Sequence, residues 1–499
     1  MTKPCLITNA NISKLRNMLF IYMQTLKLWY LQDRKFHRPI AELRLRLICP
    51  NSNRSPLQRA VSDLFVVLCG DAILETTYMA SVCELYSSIR SNDTGFSISV
   101  SGFDDKLLDL AEETLNACLS FRCVSNETLL PSIIKPGRFD ASLESLLRSY
   151  RNSGMKSSKQ VTDIRLQCLR PTMWSAHAKL KALEDITVQS FNKVISENLE
   201  FVTVEAFLHG NCDQADAIRT EKIITKAINK NGNGGFAKKK WPYQQVIKVP
   251  LKNQNHILVA PSNDPNEPNT AVEIYFQISM DNRRTRVIID LLSHIMYEPL
   301  FDQLRTKEQF GYEVSCGPRW TFGIIGLSFK VVTASKSSTE VCGRIERFLT
   351  DFRKDLVEMK REVYIEHLVG LAKSKLEMNN SLVDECSDFW EQIVEHTFEW
   401  ESSRSDTVEL RNVAKSEVIE AFDKWLAPAS PQTGVLNKRR RLVVQVIGTA
   451  TTSEGPSTTS MTMGSPFIVQ PGSVGITIDN SVKDFHELAG NGATWGKIV

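Results

Sequence analysis

Leucines at 43, 45 and 47 alternate with charged residues through ELRLRLICP, the period of a strand with one face on a core and the other in water. A helical pattern follows, with Pro56 suited to a first turn and Ala60, Leu64, Val67 and Leu68 continuing one apolar face toward Gly70. A further helix is expected before residues 95–103, where GFSISVSGF alternates again. DDKLLDLAEETLNACL, from Asp104, reads as a helix with acidic residues in its favourable first turn. Residues 138–198 are mainly helical, broken near Gly154 and Pro171, and FVTVEAFL from Phe201 is a closing strand that ends at Gly210.

The same succession then begins again. AVEIYFQISM from Ala271 is a strand, and residues 283–306 form a helix with Val287, Ile288, Leu291, Leu292, Ile295, Leu300 and Leu304 on one face. GIIGLSFKVV from Gly323 is a strand, residues 338–425 hold about four helices, and RLVVQVIG from Arg441 closes the series. Matching Gly95 to Gly323 and Gly210 to Gly448 gives a repeat of about 230 residues, far longer than a solenoid period, so duplicated domains are implied. Strands separated by blocks of helices, without a regular βαβ beat, argue for an α+β fold. Each domain is then a mostly antiparallel sheet with helices layered on one face. The expected division is an N-terminal segment 1–26, a first domain 27–228, a linker 229–243, a second domain 244–448 and a polar tail 449–499.

A chain of 499 residues exceeds what one core usually supports, in keeping with two domains. Its 60 basic and 57 acidic side chains leave a net charge of +3, too little to steer nucleic acid, and no such partner is expected. The lysine run at 238–240 and the basic run at 438–441 read as solvated loop edges. Eleven cysteines without CxxC pairs point to reduced thiols and a cytoplasmic protein. The apolar stretch 18–31 follows Lys14 and Arg16, as in a signal peptide, but it is interrupted by Lys27, lacks a small-residue cleavage site and is too short to span a bilayer. It is expected as a buried segment, and no membrane partner is foreseen.

The chemistry concentrates at the end of the helix around residue 300. Gly311 is expected to stop that helix by taking positive φ, so that Tyr312 opens an extended stretch seven positions beyond Arg305. On the residues alone, a solvated arginine at a helix end and a packed strand tyrosine account for both. However, LRTKEQFGYEVSCGPR (304–319) closely resembles a signature in the C-terminal half of the insulinase family of inverted-zinc-motif peptidases, the insulin-degrading enzyme, nardilysin and pitrilysin group. LWYLQD (28–33), FLHGN (207–211), EIYFQ (273–277) and ECSDFWEQI (385–393) resemble the same family in the same order.

That resemblance implies an insulinase or mitochondrial-processing-peptidase-like fold and a peptide-degrading chamber closed by two halves. It assigns Arg305 to clamp a substrate carbonyl and Tyr312 to donate to the oxyanion. Gly311, Gly317, Pro318 and Arg319 would form the loop that holds them. The family's HxxEH, which supplies two zinc ligands and a base, is absent among His37, His177, His209, His256, His294, His367, His396 and His486. Zinc is therefore expected in a separate N-terminal half or partner chain, with none bound here and no hydrolysis by this chain alone. His294 and Glu298 lie four apart and could hold a metal as part of an autonomous peptidase, but no third ligand is in view and Pro299 follows directly. The alternative is a non-catalytic scaffold or regulatory subunit of the same fold.

Overall fold

The computed structural model describes residues 5–6, 19–22, 25–120, 137–230, 243–251, 256–428, 439–451, 476–489 and 494–498. The expected linker and polar tail lie largely outside these residues, at 231–242 and 452–475. In chain order, the first half comprises β1 (Cys5–Leu6), β2 (Leu19–Tyr22), β3 (Leu26–Gln32), β4 (Ile40–Ile48), α1 (Pro56–Ala72), α2 (Leu74–Val82), β5 (Leu85–Asn92), β6 (Gly95–Phe103) and α3 (Asp104–Ser120). It continues with α4 (Arg138–Arg151), α5 (Ser157–Leu169), α6 (Ala176–Leu183), α7 (Val188–Asn198), β7 (Thr203–Gly210) and α8 (Gln214–Lys230). The second half has β8 (Tyr243–Ile247), β9 (His256–Pro261), β10 (Thr270–Met280), α9 (Arg283–Phe301), β11 (Glu313–Thr321), β12 (Ile324–Thr333) and α10 (Ser338–Glu358). Then come α11 (Arg361–Lys375), α12 (Leu382–Val394), α13 (Ser402–Leu410), α14 (Lys415–Trp425), β13 (Arg440–Ile447), α15 (Ile476–Ala489) and β14 (Thr494–Ile498).

The fold is α+β, built on two sheets of one plan. The first has the order β1-β2-β3-β7-β4-β6-β5 and the second β11-β12-β10-β13-β9. Read from opposite ends, β3-β7-β4-β6-β5 and β9-β13-β10-β12-β11 carry corresponding strands in corresponding places. Each contains one parallel pair, β3 with β7 and β9 with β13, and is otherwise antiparallel. The apolar alternation explains one face of each. Leu43, Leu45 and Leu47 meet Ala60, Leu64, Phe65 and Leu68 of α1. Val272, Ile274 and Phe276 meet Val287, Leu291, Leu292 and Ile295 of α9. Burying each such side chain contributes about 2 kcal/mol.

The other face of each sheet is also covered, by a helix from the opposite half. Helix α5 packs Val161, Ile164 and Cys168 against Ala271, Tyr275, Leu442 and Val444 of the second sheet. Helix α12, which occupies the same place in the second half's helix order, brings Cys386 and Ile393 against Trp29 and Phe207 of the first sheet. Helices on one face of each sheet was thus an incomplete expectation: polar alternation marks the β4 face as solvent, whereas in the fold its Glu42 and Arg46 are buried.

One further expectation is corrected. Residues 70–95 hold α2 and the edge strand β5, whose serine-rich sequence hides the period of two, instead of one helix. Residues 476–489, within the expected polar tail, form a helix. The apolar stretch at 18–31, expected as a buried segment, contributes β2 and β3, and Leu28 and Trp29 are buried. Among the described residues no helix is long and apolar enough to cross a membrane.

Candidate functional site

Asn282 caps α9 by accepting from the Thr285 amide, and Val287, Leu291, Leu292, Ile295 and Met296 bury its inner face. Pro299 sits within its last turn, where it withholds a backbone donor. Beyond it the chain does not stop but widens into a π-helical turn over Asp302–Lys307. The Glu308 amide donates to the Gln303 carbonyl at 3.0 Å and the Phe310 amide to Leu304 at 2.8 Å. Leu304 stays buried, so the wider turn keeps the apolar face anchored while Arg305 is exposed.

Arg305 is nevertheless placed. Its guanidinium lies 4.8 Å from the centre of the Phe301 ring, and Phe301 in turn stacks on Tyr297, with ring centres 6.3 Å apart. This Tyr297-Phe301-Arg305 ladder is spaced i, i+4, i+8, a pattern legible in the sequence. The turn is pinned by Arg344 of α10, which donates to Glu308 at 2.6 Å; that bond, more than any other influence, holds the Glu308 carboxyl below its usual range.

Gly311 is required for a different reason from the one expected. The positive φ, 51°, belongs to Gln309. Gly311 instead passes so close to β12 that a Cβ would lie 2.0 Å from the Val332 carbonyl oxygen. The close approach leads into β11, with Tyr312 just before it and 59% exposed. Burial, together with the charges of Glu313 and Glu267, raises the Tyr312 pKa, which keeps a protonated phenol available as a donor at neutral pH. Glu313 is fixed by Lys330 at 2.6 Å and by the Ser158 hydroxyl at 2.7 Å, so α5 of the first half steadies the residue next to Tyr312.

Gly317, Pro318 and Arg319 do not form a loop. They pair with Ser328, Leu327 and Gly326 inside β11, an edge strand, where a proline costs no inner ladder bond. Pro318 lines a cavity of about 570 Å³ with His294, Tyr297, Glu298 and His367, and Arg319 donates to the Pro318 carbonyl at 3.0 Å. The structure therefore brings Arg305 and Tyr312 to one exposed corner. No hydrogen bond or ring contact joins the two among the described residues.

His294 meets the His367 ring edge to face at 5.5 Å, and burial with the His294 charge lowers the His367 pKa. No group of three or more histidine, cysteine, aspartate or glutamate side chains among the described residues is arranged to hold a metal ion. These residues do not fit a zinc centre.

Comparison with known proteins places this architecture. Residues 15–182 match the family described as the middle or third domain of peptidase M16, and residues 291–390 match the PQQ synthase PqqF-like C-terminal lobe domain 4. A nardilysin-like protein of Arabidopsis thaliana is 30% identical over 85% of this chain and 40% of its own length. The chain is homologous to the M16 peptidases. Human insulin-degrading enzyme is 27% identical to this M16 homologue over 81% of the chain and 39% of the relative. The homologue thus spans about two fifths of the length of these relatives. Pitrilysin shares the fold with a TM-score of 0.73 at 17% identity, over 95% of this chain and 46% of the other. An M16 inactive domain from Pseudomonas fluorescens gives 0.59 at 12% identity, over 89% of the chain and 98% of that domain.

Proposed function

We propose that this M16 homologue is the non-zinc, substrate-binding C-terminal half of a chambered peptidase, with two domains at 27–228 and 244–448. The observation that carries this reading is the corner at the end of α9. There a π turn leaves Arg305 exposed, and Tyr312, just before the edge strand β11, is exposed with its phenol pKa raised. Arg305 would clamp a substrate carbonyl with a guanidinium that keeps its charge when water is excluded. Tyr312 would donate to the oxyanion that develops on the scissile carbonyl. A donor aimed at such an oxygen supplies about 3 kcal/mol of transition-state stabilisation.

The metal-activated water would come from a zinc-bearing N-terminal half or partner chain, because the ligand set for it is not found in this sequence. Peptides are the substrates of this reading. The buried free thiols Cys69, Cys118, Cys168, Cys212, Cys316 and Cys386 support a reducing, cytoplasmic setting. The test is to mix the chain with a zinc-bearing M16 half and follow an internally quenched peptide. A rate above that of the zinc half alone supports the proposal, and no gain rejects it. A second reading, a scaffold or regulator without substrate, is favoured by the fold likeness to an M16 inactive domain. It predicts peptide affinity no better than background.

A further inference from the structure

A cleft of about 960 Å³ lies between α12 and the first turn of α9, at the opposite end of α9 from Arg305. Its lining is acidic beyond what its own cations balance. Lys35 is paired with Glu385 at 3.5 Å, Arg283 and Arg286 with Glu399 at 3.2 and 3.1 Å, and Arg404 with Glu401 at 3.9 Å. Glu377, Asp388 and Glu391 line the same cleft, and among the described residues no cation pairs with them. Asp388 accepts from the Asn379 side-chain amide at 2.9 Å.

Asp388 and Glu391 lie three apart on one face of α12, with Glu391 in its last turn, where the helix dipole is already negative and no basic residue offsets it. Burial, and then the charges of Glu395 and Asp388, raises the Glu391 pKa. Such crowding costs stability, and a local rule broken without a structural gain marks a place where the charge is used.

The rest of the lining fits a peptide. Trp320 of β11 is 49% exposed, and its ring makes no aromatic or cation contact among the described residues. Phe322, two residues on, already holds the Arg170 guanidinium 4.7 Å from its ring centre. Trp400 is 9% exposed and its indole N–H has no acceptor, while the buried Oε1 of Gln392 has no donor. A peptide backbone carries both missing partners, and rings with carboxylates hold a guanidinium or ammonium group. We propose that this cleft is a subsite for a basic peptide segment, with Asp388 and Glu391 as counter-ions of an arginine or lysine side chain and Trp320 as its aromatic face. Eight residue steps separate Tyr312 from Trp320 along β11, roughly 26 Å at 3.3 Å per residue in a strand. Under the substrate-binding role proposed above, on which this step alone rests, the cleft is a remote anchor that selects among peptides reaching the corner.

Fluorescence anisotropy of the full chain, with no zinc-bearing half present, tests the cleft. The probe is a fluorescein-labelled glycine–serine decapeptide with a central arginine pair. The same peptide with citrulline, a neutral isostere, should bind about tenfold more weakly. The Asp388→Asn, Glu391→Gln double variant should lose that preference, and Trp320→Ala, at a half-exposed side chain, should weaken the arginine peptide about fivefold. Equal binding of the two peptides, or an unchanged preference in the double variant, would overturn the proposal. Arginine-selective binding that the double variant loses, without any gain of cleavage in the mixture with a zinc-bearing half, would support the cleft while rejecting the chambered-peptidase reading.

Discussion

The two halves repeat one plan down to strand order, yet the faces they exchange differ. The second sheet offers Ala271, Tyr275, Leu442 and Val444 to α5, an apolar surface interrupted by Glu273. The first offers Glu42, Arg46, Glu205 and His209 to α12, a charged surface with Trp29 and Phe207 among the charges. One topology thus supports a greasy junction, insensitive to conditions, and a polar one that protons and salt can modulate. The difference also falls where the proposed function needs it. The firm junction carries Ser158 and the edge strand beside Tyr312, and the polar one borders the cleft.

The sharpest way to break this contrast is Arg165→Ala, which leaves the Glu273 carboxylate buried without its ion pair. It should cost about 4 kcal/mol in urea unfolding, far more than any single polar change at α12. Gly311→Ala comes next. Its Cβ would meet the Val332 carbonyl, so about 2 kcal/mol is expected, together with displacement of Tyr312 readable as lost activity in a reconstituted peptidase.

Acid should separate the halves more gently. Burial pushes the Glu205 carboxyl up, but the His396 hydrogen bond, Lys27 and Arg46 outweigh it and the net direction is down. The His209 hydrogen bond is the largest influence on Glu385 and lowers it too. Groups depressed in the folded state stabilise above their unfolded pKa, and that stability is lost as pH falls through the folded value. Exchange protection of α12 should therefore decline below about pH 4.5 before that of α5 does. Lys35→Ala is the smallest change. Its 3.5 Å pair with Glu385 is partly open to water, so about 0.3 kcal/mol is expected, vanishing in high salt.

Much of the fold was legible because period and burial coincide. Leu43, Leu45 and Leu47, the apolar face of α9 and the strands at 95–103 and 324–333 follow directly from alternation. What escaped are features set by tertiary context. β5 is a polar edge strand, and the Glu42 and Arg46 face is buried only because α12 arrives from more than 300 residues away. At the candidate corner Arg305 and Tyr312 were marked by resemblance. The π turn and the Gly311 approach to β12 arise from contacts that no local pattern announces.

The most direct test is the Tyr312→Phe variant in the mixture with a zinc-bearing half, measured as separate kcat and KM on a quenched peptide. A phenol acting only on the oxyanion predicts a loss of about a hundredfold in kcat with KM nearly unchanged, and no loss of chain stability. Equal kcat in wild type and variant, in a mixture that does cleave peptide, would contradict it.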